Sequence, residues 1–147
     1  MNAYADTSFL ISLYTPDTNS EKASALFLKR EEELVWITPF GEVEFVNVIE
    51  LRVFRKEVTP MQAEKSLRDF QKDLNSKSFL VNRPLPVDSF ERAILLSRRH
   101  TRQMGTRGMD VIHVAIALEL RAEFFYTFDR GQTKLAKRAG LTTRPGR

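Results

Sequence analysis

Residues 4–10 read Tyr-Ala-Asp-Thr-Ser-Phe-Leu, and they place one carboxylate, Asp6, between two kinds of hydrophobic pattern. Residues 2–5 form a short apolar run that predicts a buried strand, whereas Phe9, Leu10 and Leu13 are spaced as on a helix. Ligands of open α/β sheets bind just beyond the carboxyl ends of parallel strands. Asp6 is therefore a candidate site residue, although an aspartate here could equally be a helix cap.

The rest of the chain alternates short apolar runs with longer segments of helical periodicity, which is typical of an α/β sandwich around a parallel sheet. We find no repeat and no linker, so we expect a single domain over residues 1–147. In the helix that begins near Asp88, we expect the inward residues to be Phe90, Ala93, Ile94 and Ser97. The predicted strands are 2–5, 34–37, 78–81 and 124–128, and the helices after the first are about 21–33, 40–56, 61–75, 88–103, 110–121 and 132–139, the last with Gly140 as its C-cap.

The composition excludes several kinds of site. The 147 residues include no cysteine and only two histidines, His100 and His113. A disulfide framework, a thiolate zinc site and a cysteine nucleophile are therefore excluded, and an imidazole-based metal site or a serine–histidine triad is disfavoured. The sequence has no leader-like start and no apolar run of membrane-spanning length, so we expect a soluble, cytoplasmic protein that does not bind membranes.

Two stretches of the chain contain basic residues and no acidic ones, although the net charge of the whole sequence is only +4. The first lies between Glu91 and Asp110, and the second follows Asp129. Such stretches indicate a polyanionic partner with phosphate groups, and solvated helix faces are the alternative. The basic residues are Arg92, Arg98, Arg99, Arg102 and Arg107 in the first stretch, and Arg130, Lys134, Lys137, Arg138, Arg144 and Arg147 in the second.

Two further aspartates are placed like Asp6 at the start of predicted helices. Asp129 follows a short apolar run and precedes a turn into a helix, so in a parallel sheet its carboxylate emerges at the same edge as that of Asp6. Asp110 begins the most apolar helix of the chain and lies at the top of its buried face. We therefore expect these three carboxylates to lie at one end of the core.

A fourth acid comes from the largely buried helix over residues 40–56, as either Glu42 or Glu44. Periodicity leaves this choice open, because each glutamate shares a face with apolar residues. The spacing to Thr38 and Asn47 favours Glu44.

Carboxylates gathered at one end of a core repel each other and lose hydration, which is costly unless a cation holds them. Sets of oxygen ligands suit Mg²⁺ or Mn²⁺. Such ions can clamp a phosphodiester, activate a water molecule and stabilise the leaving oxygen. The acids and the basic stretches together predict metal-dependent chemistry on a nucleic acid.

Four motifs in this order resemble the PIN-domain nucleases, most closely the VapC-like toxins of bacterial toxin–antitoxin pairs. The resemblance covers the whole chain and implies a three-layer α/β/α sandwich with a short, mainly parallel central sheet of four to five strands. The motifs are Tyr-Ala-Asp-Thr-Ser at 4–8, Glu44 with Asn47, Met-Asp-Val-Ile-His-Val-Ala-Ile-Ala at 109–117, and Thr-Phe-Asp-Arg at 127–130.

The resemblance implies a metal-dependent endoribonuclease that uses Mg²⁺ or Mn²⁺. It also implies a protein antitoxin that covers the acidic cleft, and a homodimer. Family members often carry Asn before the last acid, where this chain has Phe128. The implied catalytic and metal-binding acids are Asp6, Glu44, Asp110 and Asp129; Thr7 or Ser8 would help to bind metal, a ligating water or substrate, and we take Arg102, Arg107 and Arg130 as contacts to RNA.

Other functions stay open beside this one. The chain could be a non-catalytic PIN-like RNA-binding or assembly module, or a housekeeping RNA-processing nuclease. A phosphatase with Asp6 as nucleophile is disfavoured, because Thr7, Ser8 and Phe9 follow it where such chemistry wants a second acid. His113 could act as a general base, but a hydrogen-bonded core histidine is the preferred interpretation.

Overall fold

Five parallel strands form one sheet in the computed structural model, which describes residues 1–146. The strand order is β3-β2-β1-β4-β5, and Arg147 of the second basic stretch lies outside the described residues. The register aligns Ala5 of the central strand with Tyr126 of its neighbour, so these two strands end side by side. The strands are β1 (Asn2–Ala5), β2 (Leu34–Ile37), β3 (Leu80–Val81), β4 (Phe124–Tyr126) and β5 (Thr142–Arg144).

Helices cover both faces of the sheet, which confirms the predicted three-layer sandwich. The helices α1 to α4 pack on one face, and α5, α7 and α8 pack on the other. No helix within residues 1–146 is long and apolar enough to cross a membrane. The helices are α1 (Thr7–Tyr14), α2 (Ser20–Leu28), α3 (Pro39–Phe54), α4 (Pro60–Asn75), α5 (Ser89–Leu96), α6 (Arg102–Met104), α7 (Gly108–Glu119) and α8 (Arg130–Arg138).

Alternate residues of the central strands face the two helical layers. Ala3, Ala5 and Tyr126 belong to the core beneath α1 to α4, whereas Tyr4 and Phe125 belong to the core beneath α7 and α8. Successive side chains of a strand point to opposite faces, and a parallel sheet buries both of them. This is why these strands are short, continuous apolar runs.

The second helix is shorter than predicted, because it ends at Leu28 and not near Glu33. Glu31 has a φ of 50°, a left-handed conformation that cannot continue a right-handed helix. Beyond this turn Glu33 is buried, and it accepts hydrogen bonds from the hydroxyl of Tyr126 and, at 2.7 Å, from the guanidinium of Arg144. Through these hydrogen bonds Glu33, which directly precedes β2, contacts residues of β4 and β5.

The predicted inner face of α5 is right for Ala93 and wrong for Phe90 and Ile94. Phe90 is 51% exposed and Ile94 is 61% exposed, whereas Ser89, Ala93 and Leu96 are buried. Small side chains at 89 and 93 let α5 lie close to α7, and burial of this face leaves the larger apolar residues outside. The predicted continuation to residue 103 is a π-helical segment, Ser97–Thr101, followed by the single turn of α6.

The strands also differ from prediction at their ends. The third strand is only Leu80–Val81, and β4 ends at Tyr126, so residues 127 and 128 form the turn before Asp129. Apolar runs predict only four of the strands, because the residues of β5 are too polar to stand out as such a run. The predicted C-cap of α8 is wrong by one position, because α8 ends at Arg138 and Ala139 is its C-cap. Gly140 comes next with a φ of 95°, the left-handed conformation that commonly follows a C-cap.

Candidate metal and nucleic-acid site

The ends of β1 and β4 bring Asp6 and Thr127 together. The amide of Asp6 donates to the carbonyl of Tyr126 at 3.1 Å, and the Thr127 hydroxyl donates to Oδ2 of Asp6 at 2.5 Å. The same hydroxyl oxygen accepts a hydrogen bond from the amide of Asp129 at 3.0 Å. One threonine side chain therefore links the carboxylate of Asp6 to the backbone of Asp129.

Asp6 is buried and is also the N-cap of α1. Its Oδ1 accepts from the amide of Phe9 at 3.1 Å and from the hydroxyl of Ser8 at 2.6 Å. Burial raises the pKa of Asp6 above its usual range, while the hydrogen bonds from Ser8, Thr127 and Phe9 oppose that rise. Asp6 is thus a helix cap, as one of the two interpretations of the sequence predicts, and a capping residue can also serve as a site residue at the edge of the sheet.

Glu44, on α3, lies next to the residue that follows Asp6. Its Oε1 accepts from the hydroxyl of Thr7 at 2.8 Å and faces Nε2 of His113 at 2.7 Å. Partial burial acts to raise the pKa of Glu44, but the hydrogen bonds from His113 and Thr7 and the charge of Arg107 outweigh it and hold the pKa below its usual range. Glu44 is therefore held as a carboxylate.

Glu42 occupies a different environment, because it lies two residues earlier on α3 and therefore points to nearly the opposite side of the helix. It forms an ion pair with Arg83, which follows β3, and the arginine is mostly exposed. The structure thus places Glu44, and not Glu42, beside Thr7 and His113. Whether Glu44 binds metal stays a prediction.

His113 is buried and hydrogen-bonded on both ring nitrogens. Its Nδ1 lies 2.5 Å from the hydroxyl of Tyr4, which is itself 3.4 Å from Oγ1 of Thr38. Thr38 is the N-cap of α3, the helix that carries Glu44. The preferred interpretation, a hydrogen-bonded core histidine, agrees with this environment.

Asp110 lies in the first turn of α7 and does not cap it. Its Oδ2 is 3.7 Å from Nε of Arg107, whose side chain is largely exposed. Because residues three apart lie on one face of a helix, Asp110 is on the same side of α7 as His113, the residue that contacts Glu44. The same arginine lowers the pKa of Glu44, so Arg107 lies at the acidic edge.

Asp129 is the N-cap of α8, and its Oδ1 accepts from the amide of Gln132 at 2.8 Å. Phe128, which replaces the asparagine of the family pattern, stacks on Phe9 with the ring centroids 5.8 Å apart. Its amide donates to the hydroxyl of Ser8 at 2.9 Å. The departure from the family pattern therefore fills an apolar position under the site.

The acids do not form a closed metal cage. Within residues 1–146, no three His, Asp or Glu side chains lie close enough together to hold one ion. The all-oxygen donor set nevertheless suits Mg²⁺ or Mn²⁺ chemically. Of the other predicted site residues, Thr7 donates a hydrogen bond to Glu44 and Ser8 donates one to Asp6. The three predicted RNA contacts, Arg102, Arg107 and Arg130, are all exposed.

The predicted site residues did not include three polar residues of this edge, namely Tyr4, Thr38 and Thr127, although the spacing to Thr38 favours Glu44. Each was counted as part of a strand or of a turn. A usable signal was present for Thr38 and Thr127, because each directly follows an apolar strand that neighbours β1. The hydroxyl of Tyr4 gives no such signal, because the residue also fits a buried strand.

Residues 3–138 match the model of the PIN domain. The chain therefore belongs to the PIN-domain family. No curated protein matches the sequence significantly.

Several solved structures share the fold over nearly the whole chain. Mycobacterium tuberculosis VapC20, described as a sarcin-ricin loop cleaving toxin, has a TM-score of 0.70 with 18% identity over 95% of both chains. VapBC2 from Rickettsia felis, bound to a DNA fragment from its promoter, has a TM-score of 0.65 with 16% identity over 97% of both chains. FitAcB from Neisseria gonorrhoeae has a TM-score of 0.66 with 14% identity over 96% of this chain and 95% of the other. At such identities the likeness establishes a shared fold.

Proposed function

We propose that this PIN-domain protein is a metal-dependent endoribonuclease, the toxin of a toxin–antitoxin pair. The observation that carries the proposal is the polar edge where β1 and β4 end. There the hydroxyl of Thr127 donates to the carboxylate of Asp6 and accepts from the amide of Asp129, and the hydroxyl of Thr7 donates to the carboxylate of Glu44. The family match and the fold shared with VapC20 support it.

Asp6, Glu44, Asp110 and Asp129 would hold Mg²⁺ or Mn²⁺, which supplies an activated water and stabilises the leaving oxygen of a phosphodiester. The work of the protein is to orient these groups. Thr127 and Ser8 orient Asp6 through hydrogen bonds, and Thr7 with His113 orients Glu44. The exposed arginines Arg102, Arg107 and Arg130 would hold the RNA backbone by neutralising phosphates.

Cleavage of RNA by the purified protein tests the proposal. We expect single-stranded RNA to be cut with Mg²⁺ or Mn²⁺, and cutting to stop when EDTA is added and to return with excess Mn²⁺. Cleavage that survives EDTA would rule out the metal mechanism. Binding without cleavage in saturating Mn²⁺ would favour the non-catalytic RNA-binding module, the alternative supported by the open arrangement of the acids.

A protein antitoxin is the second part of the proposal. The VapBC2 and FitAcB assemblies share this fold, which supports a partner of that kind for this chain. We expect the product of a neighbouring open reading frame to bind the protein and to abolish its cleavage of RNA. The lack of such a partner gene would favour a housekeeping RNA-processing nuclease in the cytoplasm.

A homodimer is the third part. The outer side of α5 exposes Phe90, Ile94 and Leu95, and a continuous apolar helix face of this kind is common at protein interfaces. We expect sedimentation to give a dimer, and Ile94→Lys with Leu95→Lys to give a monomer. A monomeric wild-type protein would contradict this part alone.

A further inference from the structure

A buried chain of hydrogen bonds runs from the sheet to Glu44. It begins at Tyr4 of β1, passes through the imidazole of His113 on α7, and ends at Oε1 of Glu44 on α3. Tyr4 is fully buried and His113 is 3% exposed, so water does not compete for the contact between them. Three separate elements of the fold therefore meet at one carboxylate oxygen.

The direction of the last hydrogen bond follows from the chemistry of its partners. Glu44 is a carboxylate and can only accept, so Nε2 of His113 carries the hydrogen. If the imidazole is neutral, Nδ1 then accepts from the hydroxyl of Tyr4. If the imidazole is protonated, Nδ1 donates to that oxygen, and the Tyr4 hydroxyl turns to Thr38, 3.4 Å away. The donation to Glu44 is the same in both protonation states.

The two oxygens of Glu44 have different surroundings. Oε1 accepts two hydrogen bonds, from Thr7 at 2.8 Å and from His113 at 2.7 Å. Oε2 makes no hydrogen bond within the described part of the chain, and the side chain is about one-third exposed. The protein thus engages one oxygen of Glu44 twice and leaves the other without a protein partner among the described residues.

We propose that His113 is a positioning residue, which fixes Glu44 through Oε1 so that Oε2 is presented to the divalent ion. Tyr4 holds the ring of His113 from behind and fixes its orientation. This inference rests on the proposed function, because it takes Glu44 as a metal ligand. Residues that orient metal ligands through hydrogen bonds typically change metal affinity or activity about 10–100-fold when they are replaced.

Calorimetric titration of the metal-free protein with Mn²⁺ tests the inference without any RNA. His113→Phe keeps an aromatic ring but removes the donor, whereas His113→Gln keeps an N–H at nearly the same reach. We expect His113→Phe to weaken Mn²⁺ binding by at least about tenfold and His113→Gln to stay within about threefold of wild type. Tyr4→Phe, which removes only the hydroxyl, should fall between them.

Unfolding curves of the same variants separate positioning from stability. A merely structural histidine predicts lower melting temperatures for His113→Phe and His113→Gln with unchanged Mn²⁺ affinity of the folded protein, and that result would overturn the inference. Equal losses of affinity in both variants would also overturn it, because the donor would then not be the cause. Wild-type protein that binds no Mn²⁺ would instead contradict the proposed function itself.

Discussion

Thr127 donates its hydroxyl hydrogen to Oδ2 of Asp6 over 2.5 Å, although 121 positions separate the two residues in the sequence. The contact exists because the register aligns Ala5 with Tyr126, so that the residues after both strands are neighbours. The contact therefore links the residue that follows β1 to the residue that follows β4.

Replacing Thr127 with valine removes this hydrogen bond and keeps the shape of the side chain. We expect the variant to lose about 1–3 kcal/mol of unfolding free energy, because it leaves a buried carboxylate oxygen without its donor. Urea denaturation measures the loss. Thr143→Val is the matched control, since Thr143 is equally buried and its hydroxyl has no partner among the described residues. Equal losses in both variants would contradict this account of Thr127.

Replacing Asp6 with asparagine should stabilise the metal-free protein at neutral pH. Burial raises the pKa of Asp6 in the folded state, so the folded protein binds more protons than the unfolded chain between the two pKa values. The unfolding free energy of wild type therefore falls as the pH rises through that window. Asp6→Asn does not show this decrease, because asparagine does not titrate. We expect the advantage of the variant, measured by urea denaturation in EDTA, to grow from pH 4 to pH 7. An advantage that shrinks over this range would be inconsistent with a raised pKa.

Glu44 should show the opposite pH dependence. Its pKa is lowered in the folded state, so its stabilising contribution is complete above the unfolded-state pKa and is lost as the pH falls through the folded-state value. Glu44→Gln should therefore cost stability at pH 7 and little at low pH. The same denaturation series measures this difference, and a cost that grows toward low pH would contradict it.

The two neighbouring glutamates of α3 should differ in activity. We expect Glu44→Gln to abolish metal-dependent cleavage, because it changes a proposed ligand, and Glu42→Gln to retain most of it. Glu42 is engaged by Arg83 and has no contact with Thr7 or His113. Cleavage rates on one RNA in saturating Mn²⁺ give the comparison. Loss of cleavage in Glu42→Gln but not in Glu44→Gln would contradict this assignment and identify Glu42 as the acid of the site.

RNA affinity should fall steeply with salt concentration, and Arg102 and Arg107 should contribute to the slope. For single strands the slope of log affinity against log salt is about −0.7 for each phosphate contact, so replacing both arginines with alanine should flatten it by roughly 1.4. Binding is measured in EDTA to prevent cleavage. Arg92→Ala is the control, because Arg92 is already paired with Glu119. A slope that is unchanged in the double variant would remove both arginines from the RNA path.

The sequence predicted the parts of the fold in which one strong pattern acts alone. Short apolar runs located four of the five strands, because strands buried on both faces are apolar throughout. The placement of Asp6 and Asp129 after two such runs predicted that the two strands end side by side, and the register of β1 and β4 confirms this, although β4 ends at Tyr126, three residues before Asp129. Local spacing was sufficient here because the sheet is parallel.

The sequence failed where several arrangements bury similar residues. The helix α5 has apolar residues on two sides, and periodicity selected the larger ones, Phe90 and Ile94. Close packing on α7 buries Ala93, as predicted, but with Ser89 and Leu96 in place of the two larger residues, and only the position of α7 decides this. Thr127 and Tyr4 were missed for a related reason, since their hydroxyl partners come from distant parts of the chain.

Thermal unfolding with and without Mn²⁺ tests most directly whether the acidic edge binds a divalent ion. Binding to the folded state alone stabilises it by about 2.7 kcal/mol at a hundredfold excess over Kd. We expect wild type to melt higher in saturating Mn²⁺, and Asp110→Asn to lose most of that gain. Asp69→Asn is the control, because Asp69 pairs with Lys65 on α4 and should leave the gain intact. A Mn²⁺ response that is absent in wild type, or equal in wild type and Asp110→Asn, would contradict a metal site built on these acids.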